Sequence, residues 1–287
     1  MMKQSGRSRI TLLTGFATLG LLLATEGVQA QHGHINAGAK GTNQGDQLYW
    51  ANGAIFAYDS GYVKELTYAP TGTYAGNYDG SISFTSLAAT TANSGPAFGA
   101  AALGSFLVLE VVSVEGPAGA SWSYWDTGAT NPTITVLSGT TDGTSRINLS
   151  DKTKGAGTTG ADPYGHLHGR RQSVNKWGKY KVGYKIYDTS TNGIGGGPIH
   201  TPSDIFFINW GTQLKVTQLS KSTDGVTLNV SGDPDVSFFL ETTPTIGGTD
   251  PWTTVAGPLN YPTRGYYPVT DPKATGPGSF YRLLVAP

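Results

Sequence analysis

Gly225-Val226-Thr227-Leu228-Asn229-Val230 alternates apolar and polar side chains at a period of two. Successive side chains of an extended strand point to opposite faces, so this run has one apolar and one polar side. Leu214-Lys215-Val216 opens a strand just before it. Val236 to Glu241, Trp252-Thr253-Thr254-Val255 and Ser279 to Val285 supply three more after it. Residues 213–287 therefore read as a small Ig-like or fibronectin-like sandwich.

The same texture continues upstream. Gln47 to Tyr58, Ser81 to Leu87, Ser105 to Val114 and Ser121 to Trp125 are rich in Val, Ile, Phe, Tyr and Thr. So are Thr133 to Leu137, Arg146 to Leu149, Gly178 to Tyr187 and Asp204 to Trp210. Turn signals such as Tyr78-Asp79-Gly80, Asp142-Gly143 and Thr191-Asn192-Gly193 separate them, and helical periodicity is nearly absent. Many short strands at this spacing predict an all-β chain. Its larger part, residues 31–212, is expected to be a β-sandwich or jelly roll.

The first thirty residues stand apart. Lys3, Arg7 and Arg9 precede a largely apolar run from Ile10 to Ala24, and Val28-Gln29-Ala30 provides the small residue that a signal peptidase prefers. That pattern predicts a signal peptide over residues 1–30, cut after Ala30. Thr and Gly interrupt the run too often for a membrane span. The expected location is secreted, periplasmic or on the cell surface. Lys plus Arg equals Asp plus Glu at 19 each, which argues against a nucleic-acid partner, since phosphates need a basic face. With no cysteine, thiolate metal sites and cysteine nucleophiles are excluded.

Chemistry concentrates in the histidines. There are 5, His32, His34, His166, His168 and His200, and four of them form two His-x-His pairs. Side chains at i and i+2 of a strand share a face, so both imidazoles of a pair can meet one ion. Neutral imidazole is the commonest transition-metal ligand. Nitrogen donors favour Zn2+ or Cu2+ over Ca2+ or Mg2+, which want oxygen. The expected ligands are all five histidines, with zinc first and copper the alternative. His200, in Gly197-Pro198-Ile199-His200-Thr201, divides evenly between ligand and hydrogen-bonded loop residue.

Other polar residues read more simply. Asp162, before Pro163, is a turn former before it is a ligand or an acceptor orienting one, and Asp204 is similar. Glu110 and Glu115 are expected to face outward from their strand, and Arg170-Arg171 to be solubilising. No Gly-x-Ser-x-Gly elbow occurs, and Gly193 to Gly197 follows no strand-to-helix unit that could cradle phosphate.

The stretch from His166-Leu167-His168-Gly169-Arg170-Arg171 through Gly178-Lys179-Tyr180-Lys181-Val182 resembles the surface-anchored domain family called choice-of-anchor M. There a His-x-His element precedes a polar run, a Gly-x-Tyr and a strand, and a Gly-His lies near the domain's start, as Gly33-His34 does here. The resemblance covers Gln31 to about Trp210. It implies metal binding or scavenging, with a metal-uptake system or cell-surface component as partner. Phe280-Tyr281-Arg282-Leu283 resembles the end of C-terminal modules on exported bacterial proteins, which implies spacing, surface attachment or docking. Gly160 followed by His166-Leu167-His168 resembles the opening of the first cupin motif, with Gln172 in place of its Glu and His200 as the later histidine. That second resemblance implies a metalloenzyme using His166, His168 and His200. The leading reading is an exported metal-binding protein that is not an enzyme. The alternatives are the cupin-like metalloenzyme and a structural or adhesive surface protein without metal.

Overall fold

A computed structural model describes residues 34–93, 95–247, 249–274 and 279–286. The expected leader and His32 lie outside the described residues. The chain is all-β, as its alternation predicts. In chain order the first strands are β1 (His34–Ala39), β2 (Leu48–Trp50), β3 (Val63–Ala69), β4 (Asn77–Ser86), β5 (Leu107–Glu115) and β6 (Ser121–Trp125). They continue with β7 (Ile134–Leu137), β8 (Ser145–Asn148), β9 (Gly165–Val174), β10 (Lys179–Asp188) and β11 (Phe206–Gln213).

These form one 11-stranded sheet whose main path runs β7-β6-β9-β4-β3-β11-β10-β5-β8, with β1 and β2 joined to it through β4. The sheet curls until its ends meet. Beyond β7, Thr140 pairs with Val114 of β5, and the Gly143 N–H donates to the Val112 carbonyl at 2.7 Å. The seam is thus stitched on one side, giving a near-barrel. Alternation fills its interior: Tyr180, Val182, Tyr184 and Ile186 of β10 are buried, against Trp122, Trp210 and Phe84 from other strands.

One strand expectation changes. Of Gln47 to Tyr58 only Leu48–Trp50 is strand, and Gly53–Phe56 forms a single helical turn. Glu110 also differs from its expected outward position. It is 4% exposed, and its carboxylate accepts from the Arg146 Nε at 2.6 Å, so β5 is covered on both faces and the charge is paired. Glu115, at the strand's end, is exposed and meets Lys181 at 3.3 Å.

The C-terminal part holds β12 (Val216–Ser222), β13 (Gly225–Gly232), β14 (Phe238–Thr243), β15 (Thr253–Leu259), β16 (Gly265–Asp271) and β17 (Phe280–Val285). They make two three-stranded sheets, β12-β13-β16 and β15-β14-β17. Val226, Leu228 and Val230, the apolar side of the opening alternation, pack with Phe238, Leu240 and Val269 in a second core. The Tyr78 hydroxyl, from the large sheet, donates to the Asp233 carboxylate of this part. Desolvation by burial, and then that bond, push the phenol far above its ordinary range, so it stays a donor. No helix among the described residues is long and apolar enough to cross a membrane.

Candidate metal centre

Strand β4 organises the site. β1 runs parallel to it with His34 opposite Ser83, and β9 runs antiparallel on its other edge with His166 opposite Thr85. Residues directly opposite each other in a ladder share a face. Ile35, Ile82 and Phe84 face the core, and Leu167 packs against it. Ser83, Thr85, His34 and His166 therefore look the other way.

A bulge keeps that arrangement in step. Ile82 pairs with Arg170 and Phe84 with Leu167, so His168 and Gly169 together oppose Ser83. Gly169 takes φ 57°, the left-handed conformation that glycine reaches without cost from a Cβ. Its N–H donates to the buried Ser83 hydroxyl at 2.8 Å. The extra residue switches the parity of β9, placing Leu167 inward and the His166 and His168 imidazoles outward together.

The three imidazoles meet. Ring centroids are 4.9 Å apart for His34–His166, 5.8 Å for His34–His168 and 4.9 Å for His166–His168. One nitrogen from each lies within 4.8 Å of the others, so the group could hold a metal ion. His168 Nδ1 and His166 Nε2 are 3.4 Å apart. Two nitrogens each about 2.0–2.1 Å from a tetrahedral zinc would be separated by about 3.3–3.4 Å. His34 and His168 are exposed and His166 half-buried, so an ion has a path from solvent.

Two side chains that sequence reasoning passed over hold the frame. Asn52 donates from Nδ2 to the His34 carbonyl at 2.7 Å and accepts from the Asn36 N–H through Oδ1 at 2.9 Å. It fixes the start of β1, and hence His34, from a loop sixteen or more residues away. Ser83 fixes the bulge. Neither carries a sequence signal beyond being a small polar residue.

His200 is not in the group. It is 2% exposed, its Nε2 accepts from the Ala102 N–H at 2.9 Å, and its Nδ1 lies 3.0 Å from the Asp46 carbonyl. An accepted bond at Nε2 leaves the proton on Nδ1, which donates to Asp46. Both ring nitrogens are thus spent on loop backbone, so the even choice resolves towards the hydrogen-bonded loop residue. The cupin-like set of His166, His168 and His200 is not brought together for the same reason. Asp162 is a turn former: it accepts from the N–H groups of Ala89, Thr90 and Tyr164 and from the Thr90 hydroxyl. Burial alone would raise its pKa, but these bonds and one from Asn93 outweigh it and hold the carboxyl below its ordinary range. Asp204 accepts from Gln47 at 3.2 Å. Arg170 and Arg171 are more than solubilising, meeting Asp126 at 3.2 Å and Asp79 at 2.8 Å.

Beside the triad, the seam between β8 and β6 opens into a cleft of about 500 Å³. His166 and Arg170 of β9 belong to its lining, with Tyr124, Arg146, Lys152 and Thr153. No protein-family model matches this chain, and no curated protein is significantly similar to it.

Proposed function

We propose that this is an exported protein that binds a transition metal through His34, His166 and His168 and captures, buffers or presents it outside the cytoplasm. Zinc is the expected ion and copper(II) the alternative, since all three donors are imidazole nitrogens and no carboxylate belongs to the group. The observation that carries the reading is the convergence of three imidazoles, one nitrogen of each within 4.8 Å of the others, with His34 delivered from another strand. Export rests on the basic, apolar and Val-Gln-Ala succession of the first thirty residues. The resemblance to choice-of-anchor M domains favours the same role, and a metal-uptake system or surface component as partner.

The test uses the chain from Gln31 without a histidine tag. After equilibration with zinc and desalting, about one ion per chain should remain, and the pair His166→Ala plus His168→Ala should lose it. Zinc at about a hundred times its dissociation constant should add about 2.7 kcal/mol of stability, seen as a higher Tm that chelator reverses. A chain that retains no zinc or copper at micromolar ion, with a Tm indifferent to chelator, refutes the reading.

A further inference from the structure

The inner face of the curled sheet carries polar groups among its core side chains. Across the β6–β9 ladder Tyr124 stands directly opposite Gln172, and Trp122 opposite Val174. Opposite residues share a face, and Trp122, Tyr124 and Val174 belong to the core, so Gln172 points inward with them. Arg170, past the bulge, lies opposite the core residue Ile82 and shares that inner face, away from His166 and His168. Gln172 is 0% exposed, and among the described residues neither its Oε1 nor its Nε2 has a hydrogen-bond partner. The Tyr124 hydroxyl, 2% exposed, makes no well-formed bond either, although Arg170 stands beside it. An unmatched buried amide costs stability, so a fold keeps one where something else pairs with it.

We infer that the seam cleft admits a small neutral sugar, whose hydroxyls pair with the Gln172 amide, the Tyr124 hydroxyl and the Arg170 guanidinium. Tyr124 and Arg170 both line the cleft, with Ile134, Leu149 and Leu167 as apolar wall. Gln172 lies behind them, two residues from Arg170 along β9 and paired with Tyr124 across the ladder. A space of about 500 Å³ falls within the range of small-molecule sites, which combine apolar walls with a few convergent polar groups. Charge selects a neutral ligand. The Arg170 Nε faces Asp126 at 3.2 Å, the Arg146 Nε is taken by Glu110, and Lys152 and Asp151 offset each other at the rim. A carboxamide presents a donor beside an acceptor, and a phenol can play either role. That pairing matches adjacent hydroxyls, which both give and accept, better than an oxyanion, which only accepts.

The test keeps chelator present throughout, so its result does not depend on the metal-binding reading. Glucose, galactose, N-acetylglucosamine and maltose are titrated separately into the chain from Gln31 and followed by saturation-transfer NMR. At least one should bind saturably at millimolar concentration, and acetate and inorganic phosphate should not. Gln172→Leu should weaken that sugar about tenfold, the loss of two neutral hydrogen bonds. Tyr124→Phe keeps the ring, should weaken it severalfold, and serves if Gln172→Leu fails to fold. No saturable binding by any of the four sugars overturns the inference. So does a sugar whose affinity neither substitution lowers, or a cleft that takes acetate or phosphate in place of the sugars.

Discussion

Gly169→Ala tests whether the bulge in β9 is what aligns the triad. The residue has φ +57°, and a Cβ built there meets nothing within 4 Å. Steric collision therefore contributes nothing, and the whole effect comes from the backbone. Holding an L-residue in the left-handed region costs about 1–2 kcal/mol. Alanine also stiffens the unfolded chain, which returns about 0.4–1 kcal/mol. The expected net loss is about 1 kcal/mol. With a urea slope of about 1–3 kcal/mol per molar, the unfolding midpoint of metal-free protein should fall by about 0.3–1 M at constant slope. Gly169→Asn should lose less, since asparagine tolerates this conformation. Gly165→Ala, four residues away, should lose more than either, because a Cβ there collides with the Leu149 carbonyl oxygen and crowds the Asp151 N–H. A stabilising Gly169→Ala, or a ranking that puts Gly169 above Gly165, would refute a left-handed bulge as the device that turns His166 and His168 outward.

Asn52→Ala removes the two bonds that pin β1, and should weaken zinc about tenfold in competition with a chelating dye, as loss of a ligand-orienting neighbour does elsewhere. An unchanged affinity would mean that His34 needs no help from its backbone, or is not a ligand. Asp162 has a depressed folded pKa, so its stabilisation is present above the ordinary carboxylate value, about 3.9, and is lost as pH falls through the lower folded value. Asp162→Asn should therefore lower Tm near neutrality and flatten its decline between pH 5 and the acid limit, and parallel curves for the two proteins would contradict this.

Many strand positions and the His-x-His pairs were legible because both depend on a local period of two, although β1, β3, β9 and β16 were not among the expected strands. The alternation at Val226, Leu228 and Val230 and the sharing of a face by His166 and His168 follow from the pleat alone. What the pattern could not show depends on chain segments that meet only in three dimensions. Glu110 looks like the polar position of an edge, yet Arg146 of the neighbouring strand covers it. His200 has the same side chain as the three clustered histidines, and only the Ala102 amide and Asp46 carbonyl, distant in sequence, reveal that its nitrogens are spent. The bulge is hidden for another reason. Gly169 is one glycine among 41, and nothing local marks which of them takes an extra position in a ladder.

An ion bound at the triad would have leverage over the fold as well as a place to rest. β1 and β9 do not pair with each other; each is bonded to β4, on opposite edges. The parallel β1–β4 ladder covers four residue pairs, His34 to Ala37, and the first of them includes a member of the three-histidine group. Parallel pairing is slightly weaker per residue than antiparallel, and this short ladder is supported by the antiparallel β1–β2 pairing, by Asn52 and by the core side chains Ile35 and Ala37. An ion joining His34 to His166 and His168 would cross-link the two neighbours of β4 over its outer face. Its binding energy would then appear as added stability of the short β1–β4 ladder.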